Sequence, residues 1–256
     1  MVKIDNISFS YGSKTVLNNI TMTLEEGRIY GLLGENGVGK TTLLTLLCGL
    51  KKAKSGRIDI DGHNPYKREP SFLENQFYLS DEVPAMQMKA TDYAKTYGKF
   101  WKNFNPEKFT ALMEIFENDH QQRMDQMSFG QLKKTYISFA LACSCKYIYM
   151  DEPTNGLDIP SKAQFRKAVT KYTAEDSVIL ISTHQVRDLE NIIDPIIILD
   201  RQDVLLNAST EEISRKLFFD YSNERYEGAL YSEITPGGSI QVYPNLTGEE
   251  SKVNIE

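Results

Sequence analysis

Long apolar runs are missing from this chain. No segment approaches the roughly 18 uncharged apolar residues that a membrane-spanning helix needs. Met1 to Ser10 alternates apolar and polar residues like a strand, without the basic opening and continuous apolar stretch of a secretory leader. Cysteine is scarce. Cys48, Cys143 and Cys145 lie in apolar helical settings with no ligand spacing around them, which argues against disulfide, metal or redox chemistry and predicts reduced, partly buried thiols. Positive charge is not in excess: Lys and Arg number 29 against 35 Asp and Glu, a net charge of −6. A nucleic-acid coat is therefore not the main role, and no nucleic-acid partner is expected. No internal repeat occurs, so one copy of any binding unit per chain is expected. The 256 residues, 41% hydrophobic, suit one α/β domain with an attached subdomain, or two small domains.

What is present is a run of strand signals interrupted by a helical stretch. Val2 to Phe9 reads as an edge strand and Thr15 to Met22 as a second strand. Ile29 to Leu33 is a third, and Ile58 to Gly62 is a short strand ending in a turn. A helix from Lys40 to about Cys48 stops at Gly49. From about Val83 to Ala142 the chain is rich in Lys, Met, Phe and Tyr and reads as several helices, one starting at Asn105-Pro106-Glu107. Its aromatics, Tyr93, Tyr97, Phe100, Trp101, Phe104 and Phe109, follow helical spacing, which favours core or interface over a base-stacking array. Then Tyr147 to Met150, Val178 to Ile181 and Ile196 to Leu199 read as buried strands. Ser161 to Tyr172 and Val186 to Asn191 read as the helices between them. Apolar strands separated by helices mean a mostly parallel sheet covered on both faces. Beyond Asp203, Ala229 to Ile234 and Ser239 to Tyr243 flank Pro236-Gly237-Gly238 as a hairpin. That tail serves either as a regulatory or dimer contact or as a stabilising hairpin.

The chemistry concentrates in four short motifs. Gly34 to Thr42, GENGVGKTT, lies between a strand and a helix and matches the phosphate-binding pattern G-x-x-x-x-G-K-[ST]. Gly34, Gly37 and Gly39 let the backbone turn its N–H groups toward phosphate oxygens, and the helix start adds partial positive charge. Lys40 reaches the β- and γ-phosphates, Thr41 coordinates Mg²⁺ and Thr42 supports the phosphates. The second motif is Asp151-Glu152 at the end of a buried strand. Adjacent carboxylates there are costly unless used, and ligands in such sheets bind at that end. Asp151 is placed to hold Mg²⁺ directly or through water, and Glu152 to orient or deprotonate the attacking water. The third is Ser182-Thr183-His184, with His184 placed to sense the γ-phosphate. The fourth is Met127 to Gln131 ahead of an apolar helix, which by itself reads equally as an ordinary N-cap.

Together these residues resemble the ATP-binding subunit of an ABC transporter over roughly residues 1–215. The resemblance implies a P-loop NTPase fold with a RecA-like α/β core, an antiparallel β-subdomain and an inserted helical subdomain. Core and β-subdomain would occupy 1–82 and 146–215, the helical subdomain about 83–145, and a C-terminal extension 216–256. It also assigns roles. Tyr11 resembles the aromatic that stacks on adenine. Asn36 joins the phosphate loop, and Asp158 is the characteristic acid of a D-loop at Pro153 to Asp158. His184 stands at the switch position, and Ser128 to Gln131 resembles the signature loop. The family's mechanism implies a head-to-tail dimer of this chain with a second copy or a homologous ATPase subunit. Each ATP would lie between the phosphate loop of one chain and Ser128, Gly130 and Gln131 of the other. Two departures stand out: Phe129 where the family has glycine, with Met127 where leucine is usual, and an acid, Asp81 or else Glu82, where a Q-loop glutamine belongs. Asp81 is the candidate for binding Mg²⁺ or water, and Gln76 falls too early. The pattern is most similar to subunits that pair with a separate ABC-2-type export permease. That implies a peripheral position on the cytoplasmic face of a cell membrane. The alternative is a soluble ABC ATPase of assembly or regulatory type acting on a cytosolic protein.

Overall fold

The computed structural model describes residues 1–222, 228–246, 248 and 251–254. In chain order the first half contains β1 (Val2–Tyr11), β2 (Lys14–Leu24), β3 (Arg28–Leu33), α1 (Lys40–Leu47), β4 (Ser55–Ile60), α2 (Pro70–Leu73), β5 (Gln76–Leu79), α3 (Ala90–Tyr97) and α4 (Pro106–Ile115). The second half contains α5 (Phe129–Ala142), β6 (Tyr147–Asp151), α6 (Ile159–Tyr172), β7 (Val178–Thr183), β8 (Ile196–Asp200), β9 (Asp203–Ala208), α7 (Thr210–Lys216), β10 (Leu217–Ser222), β11 (Tyr231–Thr235) and β12 (Gly238–Pro244).

The main sheet has the order β5-β6-β7-β3-β8-β9, parallel except for β9, which runs antiparallel to β8. Its central strands are nearly continuous apolar runs, because both faces are covered. Alternation along each strand divides the side chains between two cores. Ile148, Met150, Ile179 and Ile181 point to the side of α5 and α6, while Tyr147, Tyr149, Val178 and Leu180 pack with α1 and the antiparallel sheet. The register aligns Asp151 with Ser182 and Leu33 with Thr183. The C-terminal ends of β6, β7 and β3 therefore open at one edge, beside the loop that enters α1.

The helical stretch packs around one ring. Phe139 on α5 lies within 4.9–6.4 Å, centroid to centroid, of Tyr93, Phe104, Trp101, Phe77 and Phe109. Core packing thus accounts for these aromatics, while Phe100 remains 70% exposed. Asn105 starts α4 as expected, its side chain accepting from Lys108 N.

Three expectations change. β1 is the middle of the antiparallel sheet β2-β1-β4, because β4 pairs along its other side (Val2 with Ile60, Ile4 with Ile58). Val186 to Asn191 forms only a short 3-10 turn at Val186–Asp188. Asp194 N donates to Ile29 O, which ties the far end of the segment to the sheet. The tail hairpin of β11 and β12 acquires β10 on its other side, giving the order β10-β12-β11. Residues 223–227 and 247, 249, 250, 255 and 256 of the expected extension lie outside the described residues.

All three cysteines are buried and free. Burial pushes the Cys48 thiol up to about 11 and holds Cys143 and Cys145 still higher. They stay protonated at neutral pH, and the protonated form is a poor nucleophile. In the folded protein at pH 7.5 an aromatic disulfide reagent should titrate essentially no thiol, and all three should react after denaturation.

Candidate active site

The loop between β3 and α1 runs close to its surroundings. A Cβ on Gly34 would lie 2.3 Å from the Leu199 carbonyl oxygen, and Gly39, at φ +117°, would press a Cβ against Leu17. Gly39 therefore occupies the N-cap position of α1, where no side chain caps the helix. The first N–H groups of the helix face the loop interior, a setting suited to an anion. Lys40, the first residue of α1, is nearly buried. Its Nζ donates to the carbonyls of Gly34 (2.7 Å) and Glu35 (3.2 Å) and lies 3.7 Å from Glu152 Oε1.

Asp151 ends β6 with 3% exposure. Its Oδ2 accepts from Thr41 Oγ1 at 2.6 Å and from the Tyr78 hydroxyl at 3.5 Å, and its Oδ1 accepts from Ser182 Oγ at 2.5 Å. These donors compensate for the water the carboxylate has lost. Ser182 Oγ in turn accepts from Glu152 N at 3.1 Å. Burial, then the charge of Asp151, raises the Tyr78 phenol above its ordinary range. Tyr78 and Ser182 are supporting residues that sequence reasoning left without a role. The only signal for Ser182 was its place beside Thr183-His184, directly after a buried strand.

Glu152 sits at φ +45°, a left-handed conformation that costs a non-glycine residue energy and turns its side chain out of the strand direction. Its Oε2 lies 2.9 Å from His184 Nδ1. Tyr11, Asn36, Gly37, Gly39, Lys40, Thr41, Thr42, Asp81, Asp151 and Glu152 line one cavity of about 360 Å³, together with Lys14 and Val16, which were not anticipated. The Tyr11 hydroxyl lies 3.3 Å from Thr42 Oγ1, and Lys51 Nζ is 4.9 Å from its ring centroid. Asp81 borders the cavity but is also bonded to Lys133 and Asn155. Gln76 is buried elsewhere, donating to Cys48 O at 3.0 Å.

Other predicted site residues do not line this cavity. Ser128 caps α5 in a reciprocal capping box: Gln131 N donates to Ser128 Oγ, and Ser128 N donates to Gln131 Oε1. Asp158 caps α6 by accepting from Ser161 N. Ser128 and Asp158 are exposed, while Gly130 lies against the Gly156 carbonyl. Phe129, 49% exposed, lies over Gly156, where an added Cβ would come within 2.5 Å of its ring.

Thr41 and Asp151 present hard oxygen donors, and no cluster of three or more His, Cys, Asp or Glu forms a metal cage among the described residues. That donor set fits a cation that keeps waters and phosphate oxygens as its other ligands.

A glycine loop entering a helix, a buried lysine, and an acid pair at the ends of parallel strands define a phosphate-loop nucleoside triphosphatase. The comparisons narrow this. Residues 17–155 match the ABC transporter family, and the chain belongs to it. The lantibiotic transport ATP-binding protein SrtF of Streptococcus pyogenes is 31% identical over 196 residues, 76% of this chain and 84% of SrtF. The bacitracin transport ATP-binding protein BcrA of Bacillus licheniformis is 28% identical, covering 99% of this chain and 88% of BcrA. Among solved structures, an ATP-binding subunit of an ABC transporter superposes with TM-score 0.76 at 21% identity, covering 84% of this chain and 92% of that one, which shows the shared fold. The chain is accordingly an ATP-binding hydrolase that converts ATP and water to ADP and phosphate.

Replacing Ser182 by alanine strips Asp151 Oδ1 of its hydroxyl donor, while Glu152 N keeps the Ser182 backbone carbonyl at 3.1 Å as its acceptor. Leaving buried polar groups unmet costs about 1–3 kcal/mol. Ser182→Ala should lower unfolding stability by that amount in denaturant titration.

Proposed function

We propose that this chain works as a head-to-tail dimer whose ATP cycle drives export through a separate membrane permease. The observation that carries the reading is the placement of Ser128 and Gly130. They match the signature motif, yet they lie outside the cavity lined by the chain's own phosphate loop. A second chain supplying that loop completes the site. The acidic Q-loop and the aromatic helical subdomain favour an ABC-2-type permease, and SrtF and BcrA are named as transport proteins. Among the described residues no helix is long and apolar enough to cross a membrane. Residues 1–215 form the ATP-binding domain in this reading and 216–256 an extension, with the dimer held by the permease at the cytoplasmic face.

Within the site, the loop N–H groups and Lys40 bind the β- and γ-phosphates, Thr42 adds a hydroxyl, and Tyr11 stacks on adenine. Thr41 and Asp151 hold Mg²⁺, which supplies charge neutralisation along the phosphates. Glu152 orients and polarises the attacking water, and His184, bonded to Glu152, keeps that carboxylate in place near the γ-phosphate. Asp158 contributes at the dimer contact. The nearness of Asp81 to the cavity suits a water-mediated contact with the nucleotide.

Glu152→Gln preserves shape and removes the base. It should retain ATP affinity within about threefold while kcat falls by about 10²-fold or more, read by steady-state phosphate release and nucleotide titration. Equal turnover in mutant and wild type removes Glu152 from this role. Affinity capture of the chain from detergent-solubilised native membranes should recover a multi-span protein in stoichiometric amount. A soluble partner in its place points to an assembly-type ATPase.

A further inference from the structure

Lys133, on α5, belongs to none of the nucleotide-binding motifs, yet its side chain is fully buried at 0% exposure. An ammonium stripped of water needs close partners. Those Lys133 finds here come from one short segment, the exit of β5. Its Nζ donates to the Asp81 carbonyl at 2.6 Å, to Asp81 Oδ1 at 3.2 Å and to the Ser80 carbonyl at 3.5 Å. Desolvation lowers the pKa of this ammonium, and the bond to Asp81 opposes that shift.

Asp81 is the other half of the arrangement. It is 39% exposed and borders the nucleotide cavity. Its Oδ1 accepts a second bond, from Asn155 Nδ2 at 3.3 Å. Asn155 lies in the turn that follows the catalytic-site acid, its N donating to Glu152 O at 3.1 Å. One carboxylate in the cavity wall is thus held from two directions, by α5 and by the turn after β6. The Ser128 cap of α5 lies five residues before Lys133. A buried ion pair adds little stability over an apolar pair of similar volume. The placement of Asp81, more than packing, therefore accounts for a charge at position 133.

We propose that Lys133 is a positioning residue for the ATPase reaction. It sets the Asp81 carboxylate in the wall of the cavity and ties that placement to α5. The inference rests on ATP hydrolysis at this cavity. The chain's single tryptophan gives an independent readout. Trp101 Nε1 donates to Gln76 O at the start of β5 (2.8 Å), and the ring packs 5.1 Å from Phe77 of β5 and 5.5 Å from Phe139 of α5. It sits between the two elements that Lys133 joins, so its emission reports changes in their relation.

The experiment is a double-mutant cycle on the full chain with Lys133→Met, Asp81→Asn and the pair. Steady-state ATPase is measured well below each variant's unfolding midpoint. Lys133→Met should lower kcat by about 10- to 100-fold, as loss of a supporting partner does, with KM for ATP within about threefold. The pair should match Lys133→Met within about threefold, because the two side chains act as one unit. Should Lys133→Met fail to fold, Lys133→Gln, which keeps donors for the two carbonyls, takes its place with the same expectations. In a Glu152→Gln background ATP should change Trp101 emission, and adding Lys133→Met should abolish that change while ATP still binds. Wild-type kcat in the Lys133 variant, multiplication of the single effects in the pair, or an unaltered Trp101 response each overturns the proposal. A wild-type chain without ATP turnover overturns the reading of the site itself, and the Trp101 response then decides the Lys133–Asp81 link alone.

Discussion

Asp151 is a carboxylate with almost no access to water, and the working end of the molecule is arranged around keeping it there. Its two oxygens take hydrogen bonds from Thr41 on α1 and Ser182 on β7, with Tyr78 on β5 at the limit of reach. The acid itself ends β6. A single buried charge therefore joins the helix of the phosphate loop to three neighbouring strands. Removing one partner of such a charge is far more expensive than never having buried it. The site is consequently a mechanical junction as well as a chemical one: the geometry that satisfies Asp151 also fixes where Lys40, Thr41 and Glu152 stand.

Two cores make that junction rigid. The strands alternate their side chains between a helical layer on one face and α1 with the antiparallel sheet on the other. The helical layer is centred on Phe139 and reaches the site edge through Phe77 on β5. Glu152, in its left-handed conformation, directly follows the end of β6. Strain at that residue is sustained because its backbone N–H is held by Ser182 and its side chain faces His184.

Ser128, Gly130 and Asp158 occupy helix starts away from this cavity. Ser128 and Asp158 cap α5 and α6 and satisfy orphan N–H groups there, while Gly130 lies against the Gly156 carbonyl. The same exposed helix start is free to meet an anionic group brought by another chain. Local capping and intermolecular binding are compatible at one residue, because the first needs the side-chain oxygen and the second the remaining N–H donors.

The phosphate loop, the acid pair, Ser182-Thr183-His184 and the buried parallel strands were legible in the sequence. Their chemistry is local: glycines at fixed offsets, a lysine at a helix start, carboxylates at the end of an apolar run. The helical stretch and its aromatic core were legible too, since a 3.6-residue period survives in the chain itself. Other features depended on contacts between distant segments. β1 is central because β4, over fifty residues on, pairs with it. Val186 to Asn191 is a turn because the sheet reclaims the chain at Asp194. Asp81 read as an acid at the Q-loop position, and nothing in the sequence marked Lys133, 52 positions away, as its partner. Sequence spacing carries the pattern of short-range chemistry, whereas burial and long-range pairing arise only when separate elements pack, and those determine which partner each charged group meets.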